Sequence, residues 1–239
     1  IGKHQHAPSE VHLDKAQEDK VTLARRSSGG GAVYHDLGNL NFTFIAQDGI
    51  YSINNQMNMI ANALKALGVD AKVNGRNDIE VEGFKVSGTA FAHQKQTHLH
   101  HGTLLVNVDK TLLGKYLNPN PKKLQRKNVT SVAARIANIS EFKEMDIESL
   151  KKHLFEEVEK YAGVKGEIID FESLDSKNEM SHYANQDYVY GNLKNNSFYF
   201  EDCFDFGCLK WNFISDNAII KESHLFSDAL ENEWVEALE

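Results

Sequence analysis

An α+β fold, mostly antiparallel sheet flanked by helices, is predicted by two amphipathic helical stripes separated by short segments of period-two or continuous apolar character. The first stripe runs from Ser52 to Leu67, where Ile53, Met57, Ile60, Leu64 and Leu67 recur at helical spacing; Gly68 follows, where a helix C-terminus favours glycine. The second runs from Asp146, an acidic candidate N-cap, to Tyr161 through Leu150, Leu154, Phe155 and Val158, and stops before Gly163. Between them Asn39 to Ile45, Ile79 to Val81, Phe84 to Ser87 and Thr103 to Val108 read as strands, with Gly83 at the turn of a hairpin joining the middle two. Strands return from Phe198 onward. There Leu209, Trp211 and Phe213 alternate, Asp216-Asn217 marks a turn, Ala218 to Ile220 forms a further strand, and a last helix is expected from about Ser227. Asn118 to Asn128, rich in Lys, Asn and Pro without apolar periodicity, reads as a surface loop.

Composition narrows the function classes. With 239 residues, 41% of them apolar and 25% charged, the chain can bury a sizeable core in one or two domains. Its formal charge of −8 argues against a general nucleic-acid or membrane-surface binder, since both need clustered cations. No apolar run approaches the roughly 20 residues that span a bilayer, which points to a cytoplasmic protein, or one of the mitochondrial or another organelle matrix. The chain opens on Ile1-Gly2 without Met and reads as a fragment entered at the end of a strand. Its two cysteines, Cys203 and Cys208, lack a second pair for a zinc site and are expected as reduced thiols, with a bridge as the alternative.

Three strings carry candidate chemistry. Arg25-Arg26-Ser27-Ser28-Gly29-Gly30-Gly31-Ala32-Val33-Tyr34 joins a cation pair to three glycines, which admit positive φ and let backbone amides approach an anion closely. Alone it is equally a flexible glycine turn beside a chance Arg pair, and no Gly-Lys-Ser/Thr closes it as a Walker A loop. In the second string Asn77-Asp78 enters one strand and Lys85-Val86-Ser87 leads the next. Asp78 and Lys85 can therefore meet across the hairpin as a candidate Mg²⁺ ligand and an oxyanion partner, and strand parity places Lys85 and Ser87 on one face. A surface Asp–Lys pair is the plain alternative. The third string, His98-Leu99-His100-His101-Gly102-Thr103, suits a pocket-wall histidine better than zinc, because no Cys or carboxylate lies at ligand spacing within it.

These strings, in this order and with Asn39-Leu40-Asn41-Phe42-Thr43-Phe44, resemble the lipoate-protein ligase A family of the biotin/lipoate ligase superfamily. The likeness begins at Ile1-Gly2-Lys3-His4-Gln5, continues through Leu117-Asn118-Pro119 and Val129-Thr130-Ser131-Val132, and extends more loosely to Phe226-Ser227-Asp228-Ala229-Leu230. It implies a catalytic domain at 1–197 that lacks N-terminal strands, followed by the start of a small α+β accessory domain at 198–239. By that resemblance Arg26, Ser28, Gly30 and Gly31 contact the ligand's carboxyl or phosphate, Ala32, Val33 and Tyr34 line the nucleotide side, and Asn39 belongs to the same site. Asn77 and Asp78 would engage phosphate and Mg²⁺. Lys85 would touch the acyl carbonyl and the adenylate phosphate, with Ser87 beside it and His100 near the lipoyl pocket. The stretch 127–135 would fold over the adenylate.

The implied reaction joins lipoate or octanoate to ATP as an acyl-adenylate, then passes the acyl group to a lysine of an acidic lipoyl domain. The expected acceptors are acyltransferase subunits of 2-oxoacid dehydrogenases or the glycine cleavage H protein, and the enzyme is expected to be a monomer. Lys122, Lys123, Arg126 and Lys127 could meet such an acidic partner. Two rivals remain at this stage. One is an ATP-independent acyl transferase, disfavoured in its cysteine form because Cys203 and Cys208 lie far along the chain from the glycine, Lys85 and histidine strings. The other is a non-catalytic binding module on the same fold.

Overall fold

The computed structural model describes residues 1–75, 77–119, 135–170, 173, 177–191, 198–216, 219–231 and 233–238. The basic cluster Lys122, Lys123, Arg126 and Lys127, and the 127–135 stretch apart from Arg135, lie outside the described residues. In chain order the elements used below are α1 (Ala7–Glu10), α2 (Leu13–Glu18), β1 (Asn39–Gln47), α3 (Ile53–Ala66), β2 (Ala71–Asn74), β3 (Asp78–Val81), β4 (Phe84–Gln94), β5 (Thr97–Leu105), α4 (Lys110–Tyr116), α5 (Ile147–Ala162), α6 (Lys177–Ala184), α7 (Gln186–Tyr190), β6 (Phe198–Phe204), β7 (Gly207–Asp216), β8 (Ile219–Ser227) and α8 (Glu233–Leu238). They confirm the α+β reading. The described residues fall into two compact units, one from 35–110 with 133–174, the other from 1–34, 111–132 and 175–239.

The first of these units is a five-stranded sheet of order β1-β5-β4-β3-β2, antiparallel throughout. Its long helices begin and end as the side chains dictate. Ser52 Oγ accepts the Asn55 N–H at 3.3 Å and Asp146 Oδ1 the Ser149 N–H at 2.8 Å, while Gly68 and Gly163, at φ +82° and +69°, follow the two C-termini. Met57, Ile60 and Leu64 of α3 and Leu150 of α5 bury against Leu40, Ile79, Val81, Val86 and Leu104. The helices thus cover one face of the sheet. At the β3–β4 hairpin Glu82 and Gly83 both take positive φ, which matches the twist of a two-residue turn.

Strand lengths depart from the sequence expectation. β4 runs past Ser87 to Gln94, and β5 begins at Thr97 rather than Thr103 and ends before Val106. Cross-strand pairing with each other, from Ser87↔Leu104 to Gln94↔Thr97, extends segments whose Gly, Ala and His content hides any alternation. β2 was invisible for a similar reason, since Ala-Lys-Val-Asn carries one branched apolar side chain.

In the other unit Ile1, Ala7, Val11, Ala16 and Tyr116 form a small core, with Leu13, Val21, Leu23, Ala32 and Tyr34 packed on it. The same unit holds the three-stranded sheet β6-β7-β8. Cys203 and Cys208 are joined in a disulfide rather than held as free thiols. They are directly opposed in the β6–β7 register, with Cα atoms 3.9 Å apart across a tip of Asp205 and Phe206, a proximity that a C-x4-C spacing reveals only once the hairpin is known. Ser227 ends β8 instead of starting a helix. Its N–H donates to the His4 carbonyl at 2.9 Å, and the helix waits until Glu233. Among the described residues no helix is long and apolar enough to cross a membrane.

Candidate active site

Asp78 and Lys85 meet across the β3–β4 hairpin as their spacing suggested. The Lys85 ammonium stands 2.6 Å from Asp78 Oδ1, and Arg135 pairs with Oδ2 of the same carboxylate. Arg135 reaches this point because its neighbour Ile136 bridges in parallel to Lys85, and the Ala137 N–H donates to the Lys85 carbonyl at 3.1 Å. The resemblance implies a place for Arg135 at the end of a covering loop; the structure sets its side chain on Asp78. Gly88 matters as well. A Cβ there would lie 2.8 Å from Lys85 Nζ, so a side chain at 88 would require the end of the lysine to shift.

The strand parity expected for Lys85 and Ser87 fails. Ile79 pairs with Ser87 but Glu80 pairs with Lys85, so Val86 is an extra residue in β4, a β-bulge that shifts the alternation. Directly paired residues share a face. Ser87, opposite Ile79 and Leu104, therefore faces the helix-covered core, fully buried, its hydroxyl lacking a hydrogen-bond partner among the described residues. Asp78 pairs with Gly88, Gly88 with Thr103 and Thr103 with Asn41, and this row occupies the opposite face together with Lys85 and Asn39.

His100 follows the same rule. Paired with Phe44 and Phe91, it lies on the core face, stacked on Phe44 with centroids 5.9 Å apart. Its Nδ1 is 2.9 Å from Gln56 Oε1 on α3, and because a carbonyl oxygen only accepts, the proton belongs on Nδ1. Burial, with a smaller contribution from His101, lowers its pKa to about 4, so it is neutral at pH 7. His101, paired with Thr43 and Ala90, is the histidine that shares the Lys85 face. Asn77 is held in place by its own side chain and carbonyl, which bond to Thr89.

The glycine turn belongs to the other unit and is organised by its two arginines. Arg25 is buried and donates to five carbonyls, those of Gly2, Lys3, Gln5, Tyr188 and Val189, at 2.7–3.0 Å. Arg26 curls back on the turn itself. Its Nη2 donates to Gly29 O at 2.6 Å and Gly31 O at 2.8 Å, and burial lowers its pKa to about 10 without discharging it at neutral pH. Gly30 takes φ +90°. A Cβ on Gly2 would come within 2.2 Å of the Gly30 carbonyl, so the N-terminal segment can lie against the turn only as glycine. Ser28 is buried and its carbonyl accepts the Lys3 N–H, Val33 is exposed, and Tyr34 packs on Tyr116 with centroids 5.4 Å apart.

Asp78 was the expected Mg²⁺ ligand. Both its oxygens already face cations, and among the described residues no group of three or more His, Cys, Asp or Glu could hold an ion. Paired in this way, these side chains do not fit a resident magnesium site.

A family model described as the lipoyl protein ligase A/B catalytic domain matches residues 1–159. A lipoate-protein ligase A of Psychrobacter cryohalolentis is 40% identical over 250 residues, covering 100% of this chain and 74% of that protein. Among solved structures, that of P. falciparum LipL1 in complex with lipoate superposes with a TM-score of 0.85 at 35% identity, covering 100% of this chain and 71% of that one. A lipoate-protein ligase A bound with ATP gives a TM-score of 0.68 at 29% identity, covering 80% of this chain and 81% of that one. The chain is thus an enzyme of the lipoate-protein ligase A family, with the fold of that family's catalytic domain.

Proposed function

We propose that the chain activates lipoate, or octanoate, with ATP to an acyl-adenylate, releasing pyrophosphate, and then transfers the acyl group to the ε-amine of a lysine on a lipoyl domain. The acceptors are the acyltransferase subunits of 2-oxoacid dehydrogenase complexes or the glycine cleavage H protein. The observation that carries this reading is the pairing of two cations, Lys85 and Arg135, on the Asp78 carboxylate.

A carboxylate attacking the α-phosphorus of ATP meets an anion. Cations already positioned there lower the cost of the encounter and stabilise the charge that develops on the phosphoryl oxygens. In the second step Lys85 polarises the activated carbonyl while the acceptor amine attacks, and no enzyme nucleophile is needed. The disulfide leaves neither cysteine as a thiolate, which speaks against a cysteine-based transfer.

The test incubates the protein with Mg²⁺, ATP, lipoate and an apo lipoyl domain and weighs the domain by mass spectrometry, with octanoate in a parallel arm. One added lipoyl group that appears only with ATP supports the reading. Acylation without ATP from an acyl carrier would favour the transferase instead, and an unshifted mass would overturn both.

A further inference from the structure

We propose that Asp228 is a positioning residue for the glycine turn, acting through the Ala229 carbonyl on the Gly30 amide; the inference rests on the reading that this turn receives the acyl or phosphate anion.

In a trans peptide the C=O and N–H point in opposite directions. Arg26 draws the carbonyls of Gly29 and Gly31 toward its guanidinium, so the N–H groups of the same two peptides, those of Gly30 and Ala32, face away from it. The Gly30 N–H donates to the Ala229 carbonyl at 2.9 Å. That peptide is therefore held at both ends. The Gly31–Ala32 peptide, two along, is held by the same guanidinium on its carbonyl side, so its N–H also faces away from Arg26. Glycines supply no side chain to resist rotation, so the direction of these amides depends on the groups that hold them.

Ala229 is itself tightly placed. Asp228 Oδ1 accepts the Cys208 N–H at 2.7 Å, and the Asp228 N–H returns a longer bond of 3.4 Å to the Cys208 carbonyl. The Ala229 N–H donates to Ser227 Oγ at 3.0 Å. Gly207, next to Cys208 on the same strand, permits the approach, because a Cβ there would lie 2.8 Å from Ala229 N and 2.9 Å from Asp228 Oδ1. The Cys203–Cys208 bond fixes the strand end that carries Cys208. Ser227, Asp228 and Ala229 are all buried. The tip of a hairpin far along the sequence thus sets the acceptor that the glycine turn leans on, with the Asp228 carboxylate holding Cys208 beside it.

A hydrogen bond to a charged acceptor supports an effect of about tenfold to a hundredfold when it is lost. Asp228→Ala is expected to raise the KM for lipoate by roughly that factor with a smaller change in kcat. It should also speed amide hydrogen exchange at Gly30 by about tenfold or more. Asp228→Asn keeps an oxygen acceptor for the Cys208 N–H and should recover most of both effects. If Asp228→Ala does not fold, Gly207→Ala carries the same prediction, because its Cβ would press on the backbone of Ala229.

A lowered melting temperature with unchanged KM and unchanged Gly30 exchange would show a merely structural role and overturn the proposal. So would an asparagine variant as impaired as the alanine one. If the wild-type protein fails to activate lipoate, the proposed function falls, and exchange at Gly30 in the same variants still decides the positioning claim.

Discussion

Removing Lys85 and Arg135 separately and together tests the charge arrangement on Asp78. The carboxylate side chain is 10% exposed and is contacted by both cations, whose side chains are 21% and 28% exposed. Lys85→Ala leaves Arg135 on the carboxylate, so no buried charge is stranded, and the loss should resemble that of a partly exposed pair, about 1 kcal/mol, or some 2–4 °C in Tm for a chain of this size. Arg135→Ala should cost a similar amount. The double variant leaves the carboxylate without either cation, and breaking a buried pair in that way costs roughly 3–5 kcal/mol. Stability should therefore fall by about 1–3 kcal/mol more than the sum of the single changes. In catalysis the order differs. Loss of Lys85 alone should slow pyrophosphate release with lipoate and ATP by about 10²–10³-fold, the usual effect of deleting one oxyanion donor. Single-turnover transfer from preformed lipoyl-AMP to a lipoyl domain should slow as well, since the same ammonium is assigned to the acyl carbonyl. Wild-type pyrophosphate release in Lys85→Ala would refute the role of Lys85, and strict additivity in the melting temperatures would refute the sharing of Asp78.

Two further variants probe the faces of the sheet. Ser87→Ala removes a buried hydroxyl that has no partner among the described residues, so stability should hold or rise by up to about 1 kcal/mol, with kcat/KM for lipoate within about threefold of wild type; a hundredfold fall in kcat/KM would place Ser87 on the substrate and refute its core-facing assignment. His100 has its pKa lowered to about 4 in the fold from an ordinary 6.5, so as pH drops below 6.5 the unfolded chain takes up the proton first. Its contribution to stability therefore declines between pH 6.5 and 4, at a slope of at most about 1.4 kcal/mol per pH unit. Urea denaturation across that range should show a shallower slope in His100→Gln, and an identical slope would mean that His100 is not held neutral.

Much of this was legible in the sequence, and the limits have physical causes. The α3 and α5 stripes, their Ser52 and Asp146 caps and the Asp78–Lys85 meeting follow from local periodicity and from a two-residue turn at Glu82-Gly83, which chemistry within a few residues decides. The length of β4 and β5 was not legible, because Gly88, Ala90 and Ala92 are held in the sheet by partners rather than by their own preference. The bulge at Val86 escaped for a related reason. A single extra residue leaves composition unchanged and yet reverses the face of every residue beyond it, and so it separates Ser87 from Lys85. The disulfide depended on a cross-strand register that no cysteine count contains.

The arginine pair shows that a recognised motif does not by itself say what each of its side chains holds in the fold. Two adjacent arginines beside three glycines suggest guanidinium groups aimed at an anion, yet Arg25 is engaged by five carbonyls and Arg26 by the carbonyls of the turn. A guanidinium that holds carbonyls on one side of a peptide turns the amides to the other side, so Arg26 shapes the turn as well as carrying a charge. The positive charge still contributes, because burial lowers the Arg26 pKa only to about 10 and leaves the group protonated near neutral pH. Replacing Arg26 with lysine would keep that charge but lose the planar fork that reaches two carbonyls at once. On this reasoning the glycine string requires arginine at position 26 for the shape of the turn, which a search for charge alone would not distinguish from a general need for a cation.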